Sequence, residues 1–308
     1  YDTIQSKILP LPDHILVYPA HGPGSSCGKN LGPNTHSTIA DEKKTNYALQ
    51  PQSREAFIEA VTKGLNPAPR YFAINAKINQ DGYEGLSDIM AKGSRALTVE
   101  AFKEKMNDEV IILDTRHAMV FTMGFIPGSL FIGLEGRFAE WAGSLLPFDK
   151  PILLVTDPGK EEESIIRLTR VGFEKIEGHL KGGFKAWQDA GEKIDMIIDI
   201  EPDELLMDMP HDPNLLVVDV RKEMEFADGH LADAVNLPLD EMNDVAQLAQ
   251  FEDNQNLYIH CAGGYRSVIA AKKKKKEGIH NLRNVLGGWN KIKEQEKVKI
   301  VKEANVLN

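Results

Sequence analysis

The sequence predicts an α/β protein that contains two tandem units, each a doubly wound parallel sheet. Three segments recur at a constant offset of 105 positions: residues 113–116 (LDTR) return as 218–221 (VDVR), 124–130 as 229–235, and 181–187 (KGGFKAW) as 286–292 (LGGWNKI). Three matches at one offset indicate a duplicated unit of about 100 residues.

Short, continuous apolar runs support the predicted sheets. They occupy residues 110–113, 151–155, 215–218 and 257–259, and helical stretches such as 164–170 lie between them. Continuous apolar runs are typical of buried parallel strands, and alternation with helices favours a doubly wound sheet. Ligands bind such sheets beyond the carboxyl ends of the strands, so we look for a site there.

Composition excludes several classes of function. The net charge of −10 over 308 residues argues against a nucleic-acid partner, and no apolar run is long enough to span a membrane. The chain has two cysteines, Cys27 and Cys261, which is too few for a secreted protein stapled by disulfides. We therefore predict a cytoplasmic protein, with a Cys27–Cys261 disulfide as the less favoured alternative.

A cysteine loop follows the apolar run that ends at residue 260. Loop N–H groups and the start of the next helix converge on the thiol of Cys261, where they stabilise a thiolate. Arg266 adds a forked cation suited to oxyanions, and Gly263 and Gly264 allow close backbone approach. We predict that Cys261 and Arg266 are catalytic and that Cys261 holds sulfane sulfur as a persulfide. A buried, inert cysteine is the alternative.

Five further residues complete the predicted sulfur site. They belong to the same loop and are predicted to bind substrate: Ala262, Gly263, Gly264, Tyr265 and Ser267.

Residues 97–297 resemble two tandem rhodanese (sulfurtransferase) domains, placed at residues 93–195 and 196–308. The second carries VDVR at 218–221, the cysteine loop 261–266 and a closing NVLGGW at 284–289. The first has no cysteine: Thr156 and Asp157 are taken to stand where His260 and Cys261 stand, so the resemblance implies a silent domain. Tyrosine phosphatases place five residues between cysteine and arginine; this loop has four, which favours sulfur over phosphate.

Residues 1–92 resemble the C-terminal part of a metallo-β-lactamase-fold (αββα) domain, with the persulfide dioxygenases fused to rhodanese domains as the best match. The resemblance rests on short motifs at residues 18–22, 24–29, 37–39 and 69–72. It implies that the chain, which begins at Tyr1, is the C-terminal part of a longer protein. It also implies iron (or zinc) in the complete domain, with His21 as a metal-site residue and Cys27 near the substrate; a structural role for either is an equal alternative.

The resemblance implies a sulfurtransferase within a fusion that oxidises low-molecular-weight persulfides. The expected partners are small thiols, persulfides and thiosulfate, and a homo-oligomer is left open. A persulfide-sensing or scaffolding module is one alternative function. A glyoxalase-type metallohydrolase is another, if the missing half carries two zinc ions.

A run of five lysines, residues 272–276, continues the helix after the cysteine loop. We expect a solvated helix face rather than an anion-binding patch. Because five consecutive residues cover every side of a helix, at least one lysine should lie over apolar neighbours with its amine reaching outward.

Overall fold

The structure is a computed structural model that describes residues 1–18, 35–63, 70–242 and 254–303. The chain divides into two compact units, Tyr1–Ala68 and Pro69–Asn308. Below, the first domain means residues 93–195 and the second domain residues 196–308. Both lie in the second unit. The boundaries at residues 93, 195 and 196 remain predictions, because the division into two compact units does not separate the two domains from each other.

The first unit is small and carries little regular structure in its described part. Its elements are a π-helix Ile4–Ile8, strands β1 (Leu16–Val17) and β2 (Ser37–Thr38), helix α1 (Ile39–Thr45), a 3-10 turn Tyr47–Leu49 and helix α2 (Arg54–Thr62). The strands pair antiparallel. Helix α2 begins after the cap residue Ser53, whose hydroxyl accepts a hydrogen bond from the N–H of Ala56.

The second unit alternates strands and helices. Its strands are β3 (Ala96–Leu97), β4 (Ile111–Asp114), β5 (Leu130–Phe131), β6 (Ile152–Val155), β7 (Ile176–Leu180), β8 (Ile198–Ile200), β9 (Leu215–Asp219), β10 (His230–Leu231), β11 (Val235–Asn236), β12 (Asn256–His260), β13 (Leu282–Val285) and β14 (Ile300–Val301). Its helices are α3 (Arg70–Asp81), α4 (Leu86–Gly93), α5 (Val99–Lys105), α6 (Ala118–Met123), α7 (Phe138–Leu145), α8 (Glu161–Thr169), α9 (Gly183–Asp189), α10 (Pro202–Asp208), α11 (Glu223–Ala227), α12 (Tyr265–Lys276) and α13 (Gly288–Ile292), with a 3-10 turn at Leu239–Glu241.

The two domains have the same sheet topology. The first sheet runs β3-β7-β6-β4-β5 and the second β8-β13-β12-β9-β11, and every pairing in both sheets is parallel. Each strand of the first sheet therefore has a counterpart in the second. The α/β architecture with two tandem copies, predicted from the 105-residue offset, is confirmed.

One hydrophobic cluster joins the two domains. Strand residues alternate between faces, so Leu113 and Leu154 of the first sheet and Val218 and Ile259 of the second point into a shared inner layer. The opposite faces bury separate clusters, around Phe102 and Trp187 in the first domain and around Tyr258 and Trp289 in the second. A fully buried side chain of this size contributes about 1.5–3 kcal/mol, so the shared layer is a major source of stability.

The segment between the domains is itself bonded into the fold. Asp195 and Phe125 exchange two backbone hydrogen bonds of 2.9 and 3.0 Å, and the N–H of Ile197 donates to the carbonyl of Thr122 at 3.0 Å. The Asp199 carboxylate accepts from Thr122 of the first domain at 2.5 Å and from Asn284 of the second at 2.8 Å. The connection is thus held to both domains.

The lysine run does not form the solvated face expected from its sequence. Lys272 and Lys274 are 2% and 0% exposed, and the amine of Lys272 lies 4.7 Å from the centre of the Phe125 ring. Lys275 pairs with Asp195 at 2.5 Å. The reason is that α12 is packed between the domains, so more than one lysine lies over apolar neighbours.

In the described part of the chain, no helix is both long and apolar enough to cross a membrane.

Candidate active site

Cys261 lies where the sequence predicts it, directly after the central strand β12 and four residues before α12. Its thiol is free and its side chain is 1% exposed. Strand β12 has parallel neighbours on both sides, β9 and β13, so Cys261 sits at the carboxyl edge of the sheet. This is the place where doubly wound sheets bind ligands.

Two groups of the loop face the sulfur. The N–H of Gly264 donates to Sγ of Cys261 at 3.1 Å, and the hydroxyl oxygen of Ser267 lies 3.7 Å from Sγ. Ser267 in turn donates to the carbonyl of Gly264 at 3.0 Å, so the loop is closed on itself. Gly264 adopts φ +104°, a conformation that favours glycine and that turns its N–H toward the sulfur. A backbone donor at this distance stabilises an anion on sulfur.

The GGW motif holds the loop from the other side. The N–H groups of Trp289 and Asn290 donate to the carbonyls of Cys261 and Ala262 at 2.6 and 3.0 Å. A side chain at Gly288 would overlap the Cys261 carbonyl, which explains the glycine there. The glycine of this motif is therefore required because the backbone of the cysteine loop passes so close to it.

The first domain keeps the same frame without the thiol. A side chain at Gly183 would collide with the carbonyl of Thr156, as one at Gly288 would with that of Cys261. Strand β6 ends at Val155, as β12 ends at His260. Thr156 therefore occupies the position of Cys261, and the sequence alignment that put Asp157 there is wrong by one residue. The absence of a cysteine from this loop is unchanged.

Arg266 does not stand free beside the thiol. Both of its terminal nitrogens donate to the carboxylate of Glu225 in α11, at 2.7 and 2.8 Å. The Arg266 guanidinium lowers the pKa of Glu225 to about 2. Glu225 thus stays charged across the ordinary pH range, and the fork of Arg266 is held in one orientation.

Glu225 is not among the residues predicted from the sequence, although a signal for it exists. At the offset of 105 positions, the first domain has Val120 and Glu161 in place of Glu225 and Arg266. Both partners of the ion pair are thus absent from the domain that lacks the cysteine.

The Asp–x–Arg spacing that LDTR and VDVR share has a structural explanation. Arg221 donates to both oxygens of the buried Asp219 and to the carbonyl of Gly229, and Arg116 makes the same three contacts with Asp114 and Gly124. Each pair is buried, and each guanidinium lies over an aromatic ring, Trp289 or Phe184. Since both domains have the pair, it supports the fold rather than the sulfur chemistry.

His260 directly precedes the cysteine, and its Nδ1 lies 3.3 Å from the carbonyl oxygen of Cys261. The ring is fully buried, and burial lowers its pKa. Its Nε2 lies 3.8 Å from Asp219, beyond hydrogen-bond distance. The ring packs near Trp289, and its Nδ1 contact with the Cys261 carbonyl joins it to the backbone of the cysteine loop.

Only some of the other residues predicted for the site lie beside Cys261. Ala262, Gly263 and Gly264 form the loop, with Gly263 exposed, whereas the side chain of Tyr265 enters the first domain. His21 and Cys27 lie outside the described residues. Among residues 1–18, 35–63, 70–242 and 254–303, no three His, Cys, Asp or Glu side chains form a metal-binding group.

Comparison with known proteins assigns the family. A family profile for the Rhodanese-like domain matches residues 98–190 and 201–295, which is more than half of the chain. The chain belongs to the rhodanese-like family. Membership supports sulfur-transfer chemistry and a sulfurtransferase-type enzyme.

Individual relatives match only part of the chain, at about 30% sequence identity. The chain is 30% identical over 104 residues to the putative sulfur carrier protein YrkF of Bacillus subtilis (34% of this chain, 55% of that protein). It is 30% identical over 89 residues to the tRNA uridine(34) hydroxylase of Photorhabdus laumondii (28% and 25%). The match thus spans about half or less of these relatives. A solved metallo-beta-lactamase from Staphylococcus aureus aligns with a TM-score of 0.43 at 29% identity, over 58% of this chain and 48% of that one.

Proposed function

We propose that this rhodanese-like protein is a sulfurtransferase in which Cys261 carries sulfane sulfur between small molecules. The observation that carries the proposal is the N–H of Gly264 at 3.1 Å from Sγ, in a loop that opens a helix at the carboxyl edge of the sheet. The same donor that stabilises a thiolate stabilises the persulfide anion, so the loop suits both states of a two-step transfer.

With thiosulfate as donor, the Cys261 thiolate attacks the outer, sulfane sulfur. A new S–S bond forms to Cys261, the S–S bond of thiosulfate breaks, and sulfite leaves with the bonding electron pair. In the second step, a thiolate attacks the outer sulfur of the Cys261 persulfide. The acceptor becomes a persulfide and Cys261 returns as a thiolate, so neither step needs an oxidant or a reductant.

A Cys261→Ser protein tests the assignment. We expect its transfer of sulfur from thiosulfate to cyanide to fall by at least about 10³-fold, because the nucleophile is lost. Ser87→Ala is the control, since it removes an exposed hydroxyl from α4, outside the cysteine loop, and should transfer sulfur at the parent rate. Transfer at the parent rate by Cys261→Ser would refute the proposal.

Mass spectrometry distinguishes transfer from sensing. Mixing with thiosulfate or glutathione persulfide should add about 32 Da, one sulfur atom, to the parent protein. We expect added thiol to remove this sulfur within one turnover time. An adduct that persists under excess thiol would instead support the sensing module, in which Cys261, only 1% exposed, keeps its sulfur.

We further propose that the complete protein is a persulfide dioxygenase fusion. The support is the resemblance of residues 1–92, with iron (or zinc) expected in the complete domain and His21 and Cys27 near it. In such a protein, low-molecular-weight thiols, persulfides and thiosulfate pass between the two centres. A cytoplasmic location and self-association remain part of this proposal. Metal analysis of the full-length protein tests it: one iron per chain is expected, and two zincs would contradict it.

A further inference from the structure

Tyr265 belongs to the cysteine loop, but its side chain lies in the first domain. Its hydroxyl donates to the carbonyl of Gly133 at 2.6 Å, and its ring meets the edge of Phe131 at 6.0 Å between centres. A side chain at Gly136 would overlap this ring. Phe131 ends strand β5 of the first sheet, so a residue of the active loop is seated on the domain that lacks a cysteine.

Residues 133–136, which contact the side chain of Tyr265, are held in place by other residues of the first domain. Arg167 of α8 donates to the carbonyls of Leu134 and Gly136 at 2.5 and 3.3 Å. The N–H of Leu134 donates to the carbonyl of Thr115 at 3.2 Å. Residues 133–136 are thus fixed independently of the second domain, and the hydroxyl of Tyr265 meets an acceptor whose position is already set.

Tyr265 directly follows the residue that faces the sulfur. Gly264 carries the N–H that contacts Sγ, and Tyr265 is the first residue of α12. The next residue, Arg266, is tied to Glu225 within the second domain. The Gly264 N–H is therefore followed by two side chains that anchor the chain on different domains.

We propose that Tyr265 is a positioning residue through which the silent first domain holds the cysteine loop in its reactive geometry. Tyr265 itself makes no contact with the sulfur. Its anchor on Gly133 fixes the direction of the Gly264 N–H. This proposal rests on the proposed sulfur transfer at Cys261, and it assigns the first domain a part in that reaction.

Two substitutions at Tyr265 separate its hydroxyl from its ring. Tyr265→Phe removes the bond to Gly133 and keeps the packing; we expect kcat/KM for thiosulfate to fall about threefold to tenfold. Tyr265→Ala removes both, and we expect a fall of about 10²-fold, carried mainly by kcat. The matched control is Tyr258→Phe, since Tyr258 is also buried and its hydroxyl donates to Asp208 at 2.6 Å, away from the loop.

Hydrogen exchange read by mass spectrometry reports the loop without any sulfur chemistry. In both Tyr265 variants, exchange in residues 261–268 should speed up about tenfold or more while strand β9 keeps its parent rate. A merely structural role would raise exchange in β9 as well. If the parent transfers no sulfur, the proposed function fails, and the exchange rates still decide whether Tyr265 holds the loop.

A substitution in the first domain provides an independent test. Gly136→Ala should displace the Tyr265 ring without altering the loop sequence, and it should lower kcat/KM and raise loop exchange as Tyr265→Phe does. This variant also decides the matter if Tyr265→Ala fails to fold. Parent values of kcat/KM and loop exchange in folded Tyr265→Phe and Gly136→Ala proteins would overturn the proposal.

Discussion

The thiol of Cys261 is surrounded by groups whose own positions are set by other residues. Gly264 and Ser267 face the sulfur, and Trp289 holds the carbonyl of Cys261. Arg266 is oriented by Glu225. The reactive geometry therefore depends on groups that do not touch the sulfur, such as the Glu225 carboxylate and the backbone N–H of Trp289, and substitutions of such residues are informative.

The Glu225–Arg266 pair should leave a signature in acid. Because the pKa of Glu225 is lowered to about 2, its contribution to stability is complete above the ordinary pKa of about 4.5 and is lost as the pH falls toward 2. Glu225→Gln should therefore cost about 1 kcal/mol at pH 7, a figure already reduced for the partial exposure of the pair, and less at pH 3. Urea unfolding at both pH values measures this.

The control for that experiment lies on the same helix. Glu223 is exposed in the first turn of α11, so Glu223→Gln changes the same charge without an ion pair to Arg266. An equal, pH-independent loss in both variants would show that the pair with Arg266 contributes nothing.

At the scale of elements, α12 joins the cysteine loop to the core between the domains. Its N-terminus carries the loop, and its later turns bury Lys272 among apolar groups. Burial lowers the pKa of Lys272 to about 8. The helix thus has a buried cation that is compensated by the Phe125 ring and by the nearby carboxylate of Asp195.

We expect Lys272 to contribute a rise in the stability of the protein between pH 8 and 10.5. In that window the unfolded chain holds the Lys272 proton and the folded protein releases it, so alkali favours folding through this group. The upper bound is about 3 kcal/mol. Lys272→Met should remove the Lys272 contribution to this rise and stabilise the protein at pH 7 by about 1–3 kcal/mol. Lys185→Met, at an exposed lysine, is the control; a parent-like pH dependence in Lys272→Met would contradict the expectation.

Elements were more predictable from sequence than contacts. The four apolar runs all form strands, although β4, β9 and β12 extend further, to Asp114, Asp219 and His260, because the parallel backbone pairing continues through those residues. The cysteine loop and the start of α12 also followed the local pattern. The partners Glu225 and Gly133 lie 41 and 132 positions from the residues they hold, and no local pattern specifies such distances.

The whole second unit should unfold in one step. Both sheets contribute to one inner cluster, so neither domain can lose its inner face without exposing that of the other. We expect a single calorimetric transition whose van't Hoff and calorimetric enthalpies agree for residues 69–308. Two separate transitions would show that the domains are independent.

A core substitution in the first domain should also destabilise the second domain. Leu154→Ala removes a fully buried side chain of the shared cluster and should cost about 2–5 kcal/mol. Hydrogen exchange at the most protected amides of β12 should speed up as much as at those of β6. Parent-like protection of β12 would contradict this coupling.

The hydrogen bonds around Asp195 to Asp199 restrain the two domains against swinging apart. In the loop 261–266 the exposed residue is Gly263. If the sulfur is reached beside Gly263, we expect a free thiol or a cysteine on an extended tail to accept sulfur faster than a cysteine recessed in the surface of a folded protein.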